Sequence, residues 1–226
     1  MSTLVKIPAG GRIILGSRSA RRRDLLGLLV PADQIVVVPP DASTELNFDG
    51  IRDWPGIEAR LEKIVREKSD DVRDQLSSRN LPSDLADIIG IVCADTVIVI
   101  QASGSQEFEV RGQPSVERWK SEVAEWFDGY CSGRPHWVLS GVSVTTIRGG
   151  REFRIVKTEV TFSPESRPFI ENYIETEEPL GKAGGYGLQA GGSLFVESIV
   201  GSSSNVIGLP LRETAELILK TLDKRT

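Results

Sequence analysis

Arg12-Ile-Ile-Leu-Gly-Ser-Arg-Ser-Ala-Arg-Arg-Arg-Asp-Leu-Leu-Gly-Leu-Leu29 passes from a short apolar run through a polar loop into leucines at helical spacing. The run Ile13 to Leu15 ends at Gly16, and Ser17, Arg18 and Ser19 separate it from a periodicity that begins at Leu25, so the pattern reads strand, tight loop, helix. A helix N-terminus offers unpaired backbone N–H groups and the positive end of the helix dipole. Arg21 and Arg22 add forked donors matched to phosphate or carboxylate oxygens. Arginines in a first turn oppose the dipole, which favours a bound anion over a merely capped helix. The loop is not a P-loop, because no Gly-Lys-Ser/Thr follows the first glycine.

With 226 residues, 39% of them hydrophobic and 26% charged, the chain can bury a substantial core, and one domain over residues 1–226 is expected. The formal net charge of -5 argues against a nucleic-acid coat or a membrane-surface protein, either of which would need a basic face. Small anions remain open as ligands, since Arg21 to Arg23 form a local basic focus. Cys93 and Cys131 are too few for a disulfide framework, and Cys93 reads as a small core residue. Residues 1–11 lack a long apolar segment, so a cytoplasmic location is expected.

Outward from the opening unit, Ile35 to Val38 reads as a strand stopped by Pro39-Pro40, followed by a polar loop to Pro55. Within that loop Glu45 by itself is a solvated carboxylate. A helix is predicted from Ile57 to about Leu76, and Lys68 falls on its apolar stripe. There it either snorkels at the core's rim or is held inward against an anion. Ile88 to Ile100 is continuous apolar, β-branched sequence broken by Asp95, and predicts fully buried strand structure, as two strands meeting at a bend. A carboxylate in such surroundings needs a partner, and the end of a core strand is where open α/β sheets place their sites.

Gln101 to Gln113 reads as a hairpin, and Ser115 to Phe127 as a helix burying Val116, Trp119, Val123, Trp126 and Phe127. Trp119 and Trp126 are candidates for a homodimer interface. His136 opens a strand to Ile147 that pairs with Phe153 to Phe162; as the only histidine it reads as structural and makes a Ser-His triad a poor fit. Gly181 to Gly192 contains six glycines within twelve residues, with Lys182 and Gln189 able to offer a cation and an amide to a ligand. A final helix starts at Pro210.

These parts suit a nucleotide-handling enzyme that works with a divalent metal. Ser17-Arg-Ser-Ala-Arg-Arg, Ala94-Asp-Thr-Val, Ser132-Gly-Arg-Pro-His, Thr158-Glu-Val-Thr-Phe, Tyr173-Ile-Glu-Thr-Glu-Glu-Pro, Lys182-Ala-Gly-Gly-Tyr-Gly-Leu-Gln and Gly208-Leu-Pro-Leu together resemble, in order, the motifs of the Maf family of nucleoside triphosphate pyrophosphatases. The resemblance implies an α/β fold, an elongated mixed sheet flanked by helices with a cleft between two lobes. It also implies hydrolysis of a nucleoside triphosphate to the monophosphate and pyrophosphate, with Mg²⁺ or Mn²⁺, in the dTTP/UTP branch. Residue by residue it makes Asp95 the proton acceptor and ties Arg21, Thr96 and Gln189 to substrate choice. It places Ser17, Arg22 and Lys68 at the polyphosphate, and moves Glu45 to the metal with Asp95. Three positions depart from the family's wording: Ala20 stands for a proline, Gln113 for a lysine and Gly181 for an aspartate. The loss of a cation at 113 leaves a nucleotide-binding regulator with weak turnover as the alternative.

Overall fold

Among the described residues seven strands join in one mixed sheet: β1 (Arg12–Leu15), β2 (Ile35–Val37), β3 (Ile88–Gln101), β4 (Phe108–Arg111), β5 (Pro135–Thr145), β6 (Arg151–Phe162) and β7 (Val196–Val200). Their spatial order is β2-β1-β3-β5-β6-β7, with β4 added to β3. Helices α1 (Ala20–Leu29), α2 (Trp54–Ser78), α3 (Trp119–Tyr130), α4 (Ile170–Glu175), α5 (Ser203–Ile207) and α6 (Leu211–Asp223) flank it. The structure, a computed structural model, describes residues 4–41, 46–78, 87–102 and 104–224.

The run around Asp95 is one continuous 14-residue strand, not two meeting at a bend. Its β-branched residues are buried on both faces because helices cover both. On one face α2 lays Val65, Val72 and Leu76 over Ile91 and Cys93, and Ile57 and Leu61 over Val97 and Val99. Gly141 on β5 permits this approach, since a Cβ there would lie 3.0 Å from Val65 Cγ2. The other face has two separate covers. Leu25, Leu26 and Leu29 of α1 and Leu217 and Ile218 of α6 pack on Ile13, Leu15, Val92 and Val142. Farther along β3, Val123 and Phe127 of α3 and Ile170 and Tyr173 of α4 pack on Ile98, Val138 and Phe162.

Helix α3 begins later than Ser115, because the Ser115 amide and hydroxyl both donate to the Glu122 carboxylate at 2.8 Å and turn the chain there. Val116, expected in the core, is therefore 81% exposed. Trp119 and Trp126 are half-buried against the second cluster.

His136 lies inside that cluster, 1% exposed, stacked on Tyr130 at 4.5 Å between ring centres and hydrogen-bonded through Nε2 to the Tyr186 hydroxyl at 2.9 Å. Burial pushes its pKa down from 6.5 to about 3. The unfolded chain's imidazole takes up a proton near pH 6.5 while the folded one resists until about pH 3. Its contribution is therefore complete above that range and lost as pH falls through it, by up to ~1.4 kcal/mol per pH unit. Urea unfolding between pH 7 and 4 should show this slope diminished in His136→Gln.

Gly16 closes β1 against β3, and a Cβ there would sit 2.3 Å from Cys93 Sγ and 3.2 Å from Val72 Cγ2. Gly16→Ala is expected to cost about 1–3 kcal/mol of stability by overpacking. Adding Cys93→Ala should recover most of it in the same denaturation experiment; an additive double variant would refute this contact as the cause.

Candidate active site

The register of the sheet leaves a gap. Strand β1 pairs with β3 only as far as Leu15 opposite Val92, and β4 joins the same edge of β3 from Ile98 opposite Arg111. Strand β5 covers the other edge throughout, from Ile91 to Val99. Between Cys93 and Val97, then, one edge of β3 has no ladder partner among the described residues. Adjacent strand residues point to opposite faces, yet Asp95 and Thr96 both border one cavity of about 580 Å³, because the missing neighbour opens the edge from either side. The same two residues also border an adjoining hollow of about 840 Å³ on the β4 side, where Arg52 and Arg111 add cations.

On the α2 side, Lys68 Nζ donates to Asp95 Oδ1 at 2.8 Å, with each side chain only 14% exposed. This resolves the two readings of Lys68 in favour of an inward partner. Asp95 Oδ2 makes no hydrogen bond to a described residue, leaving that oxygen for a ligand.

On the opposite side, Ser19 caps α1 by accepting the Arg22 N–H at 3.4 Å. Ser17, 6% exposed, accepts from the Ser19 N–H at 3.2 Å and from Arg22 Nη1 at 3.3 Å. Arg22 also donates from Nη2 to Thr96 Oγ1 at 3.3 Å and from Nε to the Gly208 carbonyl at 3.0 Å. Thr96 Oγ1 shares a 2.8 Å hydrogen bond with buried Ser140 Oγ. One guanidinium thus ties the loop after β1, the open stretch of β3 and the turn before α6. Arg21, beside it, lines the cavity and makes no hydrogen bond or ion pair to a described residue.

The glycine-rich segment forms the remaining wall. Gln189 and Gly181 face the cavity, as does Gln113 from the loop after β4, and the Gly184 N–H donates to the Gly112 carbonyl at 2.9 Å. Lys182 behaves differently. Its ammonium donates to the backbone carbonyl of Glu178, and burial, with Arg21 nearby, lowers its pKa.

Of the residues singled out from sequence, Ser17, Arg21, Arg22, Lys68, Asp95, Thr96 and Gln189 converge on one cavity. Lys182 turns toward its own loop, and Glu45 lies outside the described residues. Sequence reasoning missed Ser140, Glu178 and the Gly208 carbonyl. Ser140 sits in mid-strand with no local signal, whereas Glu178 and Gly208 lie in quoted motifs but take their contacts from residues far away or across a loop.

The described residues contain no group of three or more His, Cys, Asp or Glu able to hold a metal. A magnesium ion is commonly bound by one or two carboxylates together with substrate phosphates, and the open oxygen of Asp95 fits that demand. No helix is long and apolar enough to cross a membrane among the described residues.

Residues 12–221 match the family model described as Maf-like protein. A dTTP/UTP pyrophosphatase of Anaeromyxobacter sp. (strain Fw109-5) is 36% identical over 214 residues, covering 92% of this chain and 88% of that protein. Similar proteins of the same name occur in Cupriavidus metallidurans, 32% identical over 91% of this chain and 94% of that protein, and in Clostridium beijerinckii, 34% identical over 89% and 95%. With the family model matched over residues 12–221 and relatives at this identity over nine-tenths of its length, the chain belongs to the Maf family.

Proposed function

We propose that the protein hydrolyses nucleoside triphosphates, dTTP and UTP foremost, to the monophosphate and pyrophosphate with the help of a divalent cation, so clearing unwanted or modified nucleotides. The observation that carries this reading is the Lys68–Asp95 pair at the open edge of β3, facing Ser17, Arg21 and Arg22 across the cavity. The relatives' names support the substrate class.

In this reading Asp95, its carboxylate held by Lys68, orients the attacking water and takes its proton. Ser17, Arg22 and Lys68 hold the polyphosphate and offset the charge that grows on departing pyrophosphate. Arg21, Thr96 and Gln189 discriminate the nucleoside, the Gln189 amide offering both a donor and an acceptor to a pyrimidine edge; Lys182 contributes by shaping the same wall. Asp95 and Glu45 would hold Mg²⁺ or Mn²⁺, which offsets phosphate charge when bound. A cytoplasmic site of action and a homodimer through Trp119 and Trp126 belong to the same proposal.

Pyrophosphate release from a panel of nucleoside triphosphates with Mg²⁺ tests it. The wild type should favour dTTP and UTP, and Asp95→Asn should lose on the order of 10²–10⁴ of kcat/KM. Equal release from wild type and Asp95→Asn would sink the reading.

A second reading rests on one observation, the amide of Gln113 at a cavity wall where the family wording has a cation. It makes the protein a nucleotide binder with weak turnover. For an efficient enzyme, Gln113→Lys should alter kcat by no more than roughly tenfold. Tight binding without release, converted to release by Gln113→Lys, would favour the binder instead.

A further inference from the structure

The glycine density of residues 181–192 has a cause inside the protein. A Cβ at Gly184 would lie 2.3 Å from Ile98 Cγ1, and one at Gly185 would lie 3.0 Å from Val123 Cγ2. At Gly192 it would meet the Gly187 backbone N and O at 2.8 Å, so the two limbs of the loop touch backbone to backbone. Gly184 and Gly185 also sit at φ 66° and 75°, where side chains are strained. The loop is folded tightly on itself beside the cavity.

Its two ends meet at one residue. Glu178 Oε2 accepts the Gly191 N–H at 2.8 Å and Oε1 accepts the Gly192 N–H at 3.3 Å. Oε1 also accepts the Tyr173 hydroxyl at 3.0 Å. At the entering limb, the Glu178 carbonyl accepts the Lys182 ammonium. The preceding Glu177 has φ 58°, the only positive value at a non-glycine among the described residues, and Pro179 follows. Strain of this kind persists where the surroundings over-determine the backbone, and here it aims the Glu178 carboxylate into the loop.

We propose that Glu178 is a positioning residue for substrate selectivity: by joining Gly191, Gly192 and Tyr173 through its carboxylate, it fixes the loop that presents Gln189 to the nucleoside. The carboxylate touches no substrate in this scheme. Its charge-assisted hydrogen bonds to Gly191, Gly192 and Tyr173 set the position of that wall, so the nucleotide need not order it on binding. The proposal rests on the pyrophosphatase reading for its substrate but not for the state of the loop.

The test compares wild type, Glu178→Gln and Glu178→Ala. The isosteric amide keeps one acceptor oxygen and therefore can serve Gly191 or Gly192 but not both, which makes it the variant expected to fold unchanged; Tyr173→Phe, removing one donor to Oε1, provides an independent second. Amide hydrogen exchange should accelerate at least about tenfold at both Gly191 and Gly192 in Glu178→Ala, and at one of the two in Glu178→Gln, while β3 and β5 amides remain protected. In steady-state assays KM for dTTP should rise roughly tenfold with kcat changed far less, the pattern of lost uniform binding, and the preference for dTTP over purine triphosphates should narrow. Unchanged exchange at both glycines, or a loss confined to kcat, would overturn the role. Should wild type release no pyrophosphate from any nucleotide, the proposed activity fails, whereas the exchange experiment still decides whether Glu178 holds the loop.

Discussion

Lys68 and Asp95 hold one another at 2.8 Å where the edge of β3 lacks a ladder partner, and the arrangement around them depends on that meeting. A carboxylate in the middle of a buried strand is costly unless paired. Here the ammonium arrives from α2, whose apolar stripe fits the sheet closely because Gly141 presents no side chain. The gap left between β1 and β4 then gives the pair access to solvent. One structural device thus reconciles a charge with a core strand and makes that charge available for chemistry.

Arg22 performs the complementary task on the other side. Its guanidinium bonds to Ser17, Thr96 and the Gly208 carbonyl, so three segments distant in sequence are held in register around one cavity. Such a fork is pre-organised and planar, which a lysine could not reproduce. The resulting cavity has a cationic side built from α1 and a carboxylate side built from β3 and α2. Its third wall is the glycine loop, whose compactness follows from internal packing rather than from a need to approach a ligand closely.

Sequence periodicity carried most of the secondary structure. The strand-loop-helix at Arg12 to Leu29, the Ser19 cap, the long helix bearing Lys68 and the pairing of the His136 strand with the Phe153 strand all follow from local chemistry that survives in the fold. The start of α3 did not follow, because Glu122 captures Ser115 seven residues away and delays the helix. The bend expected at Asp95 did not follow either. A local reading treats a polar residue in an apolar run as an interruption, whereas a partner from another helix allows the strand to continue.

By itself the sequence determined the residue types and their motifs: a serine-arginine loop at a helix start, a lysine on an apolar stripe, an aspartate in a core strand and a glycine-rich segment with an amide, in the order the Maf family shares. Only the tertiary structure decided which of these face one cavity. The register that stops β1 at Val92 and starts β4 at Ile98 is a long-range pairing, and so are the contact of Lys68 with Asp95 and the turning of Lys182 onto the Glu178 carbonyl. Local spacing fixes the face of a helix or strand, but the element packed against that face is chosen by shape and burial across the whole chain.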